Sequence, residues 1–314
     1  MPKRPHKIEI LSEALIDAHS DLAMDVMGIS SRLAVPLGWH YLLDLIWILR
    51  ELEHPEPRAQ EPPPTVLEVG GGMGLLQFLL ADRGYSVISV DMRRRHPDRR
   101  FRACYDFRAL AEAGEIDHPY LTHLGEDPAG PSKVKGVKQS LQKWIFGGAG
   151  NAATDRNRSL ETRKGSPPRP TIRLYRCDAR SMSALEDRSI DATVSLSALE
   201  HNEPEAITAI QREVERVTRP GGLCLHTMSG VRRGCEFHAP SHSYLMDDAE
   251  LARIYGLESY DSNWSDWEPL ETEFRRPRRL ARWLAHTYFE SAHNGMPWGV
   301  WHPQYLPVGL RKEL

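Results

Sequence analysis

Between Val69 and Leu75 the chain reads Gly70-Gly71-Gly72-Met73-Gly74, and no other stretch limits its fold as strongly. Glycines this dense disfavour regular helix or strand, because their conformational freedom is costly to lose; they suit a tight turn with a closely approachable backbone. The flanks have the opposite character. Residues 65–69 (TVLEV) form an apolar, β-branched run of strand type, and residues 75–83 (LLQFLLADR) carry apolar side chains at helical spacing before Gly84. Residues 85–90 (YSVISV) read as a second strand, ending at Asp91. A strand, a glycine turn, a helix and a strand of this length make a parallel crossover.

The same rhythm returns downstream. Residues 171–177 read as a strand ending at Asp178, and residues 191–197 as a strand running into Ala198-Leu199-Glu200-His201. A helix is expected over 204–217, a turn at Arg219-Pro220-Gly221-Gly222, and a fifth strand over 223–227. Alternation of this kind predicts an α/β fold with a doubly wound, Rossmann-like, mostly parallel sheet.

Two regions flank that core. Residues 8–30 place Ile8, Leu11, Leu15, Ile16, Leu22 and Val26 at helical spacing, and residues 39–52 (WHYLLDLIWILREL) are apolar around most of a helix. Pro55, Pro57, Pro62, Pro63 and Pro64 then stiffen a linker. The expected organisation is an N-terminal helical extension with its linker over 1–64, a cofactor-binding domain over 65–272, and a C-terminal aromatic and basic segment over 273–314. Asp91 and Asp178 end successive strands, yet the chain between them far exceeds the roughly 30 residues of a βαβ unit. The excess predicts a long insertion after the second strand, about 104–170. Ten Lys and Arg lie between Pro131 and Arg173, against Asp155 and Glu161.

Composition excludes several classes. With 314 residues, 40% hydrophobic and 26% charged, there is material for a core, so wholesale disorder is ruled out. A net charge of −3 leaves polyanion binding to local patches. No apolar run approaches the roughly 20 residues of a membrane helix. Cys104, Cys177, Cys224 and Cys235 include no C-x-x-C pair. The opening Met-Pro-Lys-Arg-Pro-His-Lys leads into no apolar core of signal-peptide type, and a cytoplasmic location is expected.

The glycine spacing discriminates between nucleotide folds. A dinucleotide fingerprint, G-x-G-x-x-G, would put its third glycine at Leu75 or Gln77, which argues against an oxidoreductase. The order present, Glu68-Val69-Gly70-Gly71-Gly72-Met73-Gly74, resembles motif I of class I S-adenosylmethionine-dependent methyltransferases, in their small-molecule, methyltransferase-11-like branch. Taken alone, Asp91 and Asp178 also read as helix caps; their order on successive strand ends strengthens the resemblance. The stretch from Asp191 to Leu199-Glu200-His201, and Arg219-Pro220-Gly221-Gly222 before the fifth strand, resemble the same family, which covers about residues 65–230. The resemblance implies S-adenosylmethionine as cofactor. The residues it implies for binding are Glu68, Gly70, Gly72, Gly74, Asp91, Met92, Asp178, Ala179 and Ser197. Asp91 would hold the ribose hydroxyls, Asp178 the adenine amino group, and Ala179 a ring nitrogen through its backbone.

A sulfonium methyl needs little activation, so the enzyme mainly aligns an acceptor. A hydroxyl acceptor also has to lose its proton. His201, just past a strand end, is the candidate base, with Glu200 as its polar support; His201 also reads as a packing histidine. Some metal-assisted O-methyltransferases carry E-x-x-E-H here, but Ser197 replaces the first Glu, so Glu200 and His201 with His238 or His242 would form only a partial site. No metal centre is assigned. His238, His242 and Tyr244 read equally as acceptor contacts or loop packing. Trp264, Trp267, Trp283, Tyr288, Phe289, Trp298, Trp301 and Tyr305 gather late and mostly suit core packing. Arginines cluster at 93–102 and 275–282. With the basic insert they would attract an anionic acceptor, or form solvated faces.

The leading expectation is methyl transfer to a small-molecule or glycan-like acceptor at oxygen. The alternatives are an RNA methyltransferase using the basic insert as a nucleic-acid arm, and a non-catalytic cofactor-binding partner subunit.

Overall fold

The computed structural model describes residues 5–52, 62–111, 114–116, 169–276, 278–284 and 304–314. The chain enters its sheet at once, through β1 (Lys7–Ile10), before helices α1 (Ala14–Ala18), α2 (Ser20–Leu33) and α3 (Tyr41–Leu52). The helical spacing read over residues 8–30 therefore begins only after β1. Lys-Ile-Glu-Ile alternates polar and apolar with period two, and Ile8 and Ile10 are both buried.

The crossover follows as the glycine turn requires: β2 (Thr65–Val69), α4 (Leu76–Asp82) and β3 (Ser86–Val90). Then come α5 (Arg99–Cys104), β4 (Asp106–Ala111), β5 (Gly114–Ile116) and β6 (Thr171–Tyr175). The sheet thus takes in residues 106–111, because β4 pairs in parallel with β6. Most of the basic insert, from residue 117 to 168, lies outside the described residues.

β7 (Ile190–Leu196) leads through a single 3₁₀ turn, Leu199–His201, into α6 (Pro204–Val217) and β8 (Thr218–Gly230). The expected turn at 219–222 lies inside β8, where Gly221 has φ +74° and the register against β7 shifts. A hairpin of β9 (Cys235–His238) and β10 (Ser243–Met246) precedes α7 (Asp248–Tyr255), β11 (Asp261–Ser262), α8 (Trp267–Phe274) and α9 (Arg278–Leu284). β12 (Leu306–Glu313) closes the described chain.

Across the sheet the order is β11, β1, β12, β8, β7, β2, β3, β6, β4, β5. β2 is parallel to β3 on one side and to β7 on the other. The chain winds outward from β2 in one direction, then crosses back to continue in the other. Such a reversal opens a crevice beyond the carboxyl ends of the two central strands, where doubly wound sheets bind ligands. β12 runs antiparallel to both β8 and β1, so the chain's first strand lies against its last.

Two cores cover the faces. One packs α1 to α5, α8 and α9 against the sheet, and holds Trp39, Trp47, Phe78 and Phe274. The other packs α6 and α7 over Cys224, Met228 and Val308. Helix α3 lies against β7, β8 and β12. Its nearly all-apolar surface is explained by that burial. A Cβ on Gly309 would overlap the Trp47 ring, so glycine there lets helix and strand touch. Glu51 of α3 accepts from Arg311 of β12 at 2.6 Å.

Candidate active site

Backbone geometry builds the first wall. Gly70 and Gly72 have φ of +76° and +52°. A Cβ at Gly70 would lie 2.5 Å from that of Ala198, so the turn and the β7 exit are in direct apposition. A Cβ at Gly71 would overlap the Glu68 carboxylate and the Ser89 hydroxyl. Gly70 and Gly71 donate N–H groups to Val90 O at 2.8 and 3.4 Å, and Gln77 Nε2 donates to Gly72 O at 3.2 Å. At Gly70 and Gly71 the loop is a shaped cradle with no room for a side chain.

Beneath it lies a buried charge network. Ser89 Oγ donates to Glu68 Oε2 at 2.6 Å across the β2/β3 register pair, and Arg95 Nη1 donates to Ser89 Oγ at 2.7 Å. Burial pushes the Glu68 carboxyl up to about 7, with Ser89 and the Arg95 guanidinium pulling the other way. Arg95 also donates to Tyr175 O at 3.2 Å, tying β3 to β6. One member of the first arginine cluster is therefore a buried strut.

Asp91, half-buried at the exit of β3, accepts from Gly72 N–H at 2.9 Å and from Arg93 N–H at 2.7 Å. It joins the cradle to the second strand and keeps further lone pairs for hydroxyl donors. Asp178, past β6, accepts from its neighbour Arg180 through backbone N–H at 2.9 Å and through the guanidinium. That pairing holds its carboxyl below the usual range. Met92 is 53% exposed beside Asp91. A tight glycine cradle followed by a carboxylate with spare acceptor capacity can hold a ligand that offers hydroxyl groups.

The second wall lies where β7 ends. Ser197 takes up φ +42°, unusual for a residue with a Cβ, and is buried. Its Oγ donates to Asp44 Oδ2 at 3.1 Å. Asp44, fully buried on α3, also lies 2.8 Å from Nδ1 of His40, itself 4% exposed. Glu200 is 2% exposed. Burial raises its carboxyl above the ordinary range, with His201 and His40 opposing and Asp44 adding to the rise. Glu200 Oε2 and Asp44 Oδ1 are buried without hydrogen-bond partners. Tyr41 is also raised by burial, with Glu200 and Asp44 contributing.

His201 is exposed, and its Nδ1 lies 2.9 Å from His242 O. Of the other histidines, His238 Nδ1 lies 2.6 Å from Ser241 Oγ and its Nε2 engages Gln304. Among the described residues no three His, Cys, Asp or Glu side chains gather at metal-binding spacing.

The turn thus brings Gly70, Gly72 and Asp91 together, with Ser197 and Glu200 on the facing wall. Glu68 lies under the cradle and supports it. The sequence reading missed His40 and Asp44. They were legible only as part of an apolar helix, although their four-residue spacing puts them on one helical face. Tyr288, Phe289, Trp298 and Trp301 lie outside the described residues. Among those residues no helix is long and apolar enough to cross a membrane.

A family model described as a methyltransferase domain matches residues 151–226. No curated protein sequence matches the chain. Among solved structures, a protein of Pyrococcus horikoshii OT3 is 17% identical, over 59% of this chain and 51% of its own, with a TM-score of 0.31. This chain therefore spans about half of that protein. A S-adenosylmethionine-dependent methyltransferase from Methanosarcina mazei is 12% identical over 85% and 96%, with a TM-score of 0.37. Phosphoethanolamine N-methyltransferase 2 of Haemonchus contortus, solved with S-adenosylmethionine, is 14% identical over 96% and 59%, with a TM-score of 0.42. The family match falls on β6 to β8 and leaves out the glycine turn, so the match and the motif are separate signs of one pattern. Residues 151–226 are thus similar to a methyltransferase domain.

Proposed function

We propose that the chain is a class I S-adenosylmethionine-dependent methyltransferase and that it methylates a hydroxyl of a small-molecule or glycan-like acceptor held at the β7 exit. The observation that carries this reading is the two partnerless buried oxygens, Glu200 Oε2 and Asp44 Oδ1, at the β7 exit whose Ala198 meets the glycine turn. A buried acceptor atom without a donor costs about 1–3 kcal/mol. A ligand bearing O–H groups would recover that cost on entering.

In this reading Gly70, Gly72, Gly74 and Asp91 hold the cofactor, with Met92, Asp178, Ala179 and Ser197 around it and Glu68 fixing the loop from below. Once bound, the cofactor supplies an electrophilic methyl group. The protein's remaining task is orientation and proton removal. Glu200 is the polar support, accepting a hydrogen bond from the acceptor hydroxyl, and the exposed His201 orients the acceptor from the solvent side.

Tritium transfer from methyl-labelled S-adenosylmethionine to separate pools of hydroxylated metabolites and sugars, amines, and carbon acids tests the proposal. Label in the hydroxyl pool, reduced by His201→Ala and by Glu200→Gln, is expected. Label confined to amines or carbon acids would overturn it.

A further inference from the structure

We infer that His40, oriented by Asp44, is the group that takes the proton from the acceptor hydroxyl, an inference that rests on the hydroxyl reading above.

Position is the first argument. His40 immediately precedes α3, and Asp44 lies one turn on, with Nδ1 and Oδ2 2.8 Å apart. Ser197 Oγ binds the same Oδ2 from the end of β7, and the neighbouring Ala198 touches Gly70 of the cradle. The dyad is therefore two contacts from the cofactor loop, at the strand-order reversal where a ligand is bound.

Hydrogen-bond bookkeeping supplies the second. A serine hydroxyl already donates to Asp44 Oδ2, so this oxygen acts as an acceptor. The imidazole must then present Nδ1–H to it, and the lone pair of a neutral ring lies on Nε2. Among the described residues nothing hydrogen-bonds His40 Nε2. Nδ1 held by a carboxylate, with Nε2 free of any hydrogen bond, is the arrangement of a histidine used as a general base.

Rigidity is the third. Trp39, Tyr41 and Tyr305 stand edge-on to the His40 ring, with centroids at 4.8, 4.9 and 6.0 Å. The titratable groups facing it are Asp44 and Tyr41 from α3, Glu200 from the β7 exit, and Tyr305 from the segment before β12. In the step itself the acceptor O–H bond breaks, an N–H bond forms at Nε2, and the oxygen keeps the electron pair. The resulting imidazolium faces the Asp44 carboxylate, which offsets its charge. Strain at the Ser197 backbone agrees with a site assembled for function.

The first test needs no turnover. Nitrogen-15 NMR of the full chain saturated with S-adenosylhomocysteine reads the tautomer of the neutral His40 ring. Protonated Nδ1 with bare Nε2 is expected, shifting toward Nε2–H in Asp44→Asn. Nε2–H in the wild-type chain overturns the inference. The second is tritium transfer to the hydroxyl pool. His40→Gln, which still donates to Asp44, is expected to lower kcat by about 10²–10⁴-fold and to remove the acidic limb of its pH profile. Its calorimetric affinity for S-adenosylhomocysteine should stay within about twofold of wild type. A wild-type rate in a folded His40→Gln protein overturns the role of His40 and leaves the hydroxyl reading standing. Label confined to amines overturns both.

Discussion

Ser197 and Asp44 stand 153 positions apart in the chain, yet the serine Oγ donates to the carboxylate Oδ2 at 3.1 Å. One hydrogen bond thereby fastens the end of a central strand to a helix of the N-terminal segment. It also holds a residue with a Cβ at φ +42°.

The two effects at Ser197 can be separated by substitution. Ser197→Ala loses the hydrogen bond and keeps the left-handed backbone. Ser197→Gly loses the bond but relieves the backbone, which costs a residue with a Cβ about 1–2 kcal/mol. In denaturant unfolding the alanine variant should be the less stable of the two by about 1 kcal/mol. Equal midpoints would show that the backbone there is not strained.

The cradle tolerates no methyl group at Gly71, where a Cβ would overlap Glu68 and Ser89. Gly71→Ala must displace a buried, hydrogen-bonded carboxylate. Overpacking of this kind typically costs about 1–3 kcal/mol. Both thermal stability and calorimetric affinity for S-adenosylmethionine should fall. An alanine variant with unchanged affinity would remove this loop from the cofactor site.

Asp91 has two roles that substitution can divide. Asp91→Ala removes the acceptor for Gly72 N–H and any partner for ribose hydroxyls. Hydrogen bonds to charged groups are worth about 1.5–3 kcal/mol, so affinity should drop by roughly ten- to a hundredfold. Asp91→Asn keeps an acceptor for Gly72 N–H, and should recover loop stability while leaving affinity reduced. Calorimetry with folded variants checks both.

His226 makes stability sensitive to acid. It is fully buried on β8, beside Tyr255, with neither ring nitrogen hydrogen-bonded. Burial, with the Lys312 charge adding to it, pushes it down from 6.5 to about 3. Below 6.5 the unfolded chain takes up a proton that the folded chain refuses, so stability falls as the pH drops through that window toward 3. At pH 5.5, one unit below the unfolded value, the loss is about 1.4 kcal/mol. His226→Leu should lack this component, read as the difference between the two proteins' unfolding free energies at pH 7.5 and 5.5. Parallel pH profiles would contradict it.

Local sequence sufficed where the physics is local. The turn from Gly70 to Gly74 could only be a turn, because glycine spacing acts on its own backbone. The strands ending at Asp91 and before Ala198, and the helix Pro204–Val217, followed from side-chain periodicity within single segments. The alternation of those elements was enough to specify a doubly wound sheet, and hence the edge on which a ligand is bound. Tertiary structure alone decided what stands opposite the cradle. Lys7–Ile10 pairs with Leu306–Glu313, a register joining the two ends of the chain that no local period encodes. The same folding lays α3 across β7, β8 and β12, turning an apolar helix with one Asp into the carrier of His40 and Asp44. Histidine and aspartate four apart on a helix are common. Only burial against Ser197, with Glu200 nearby and no competing solvent, gives that pair its chemistry, because desolvation and a fixed partner arise from contacts between distant segments.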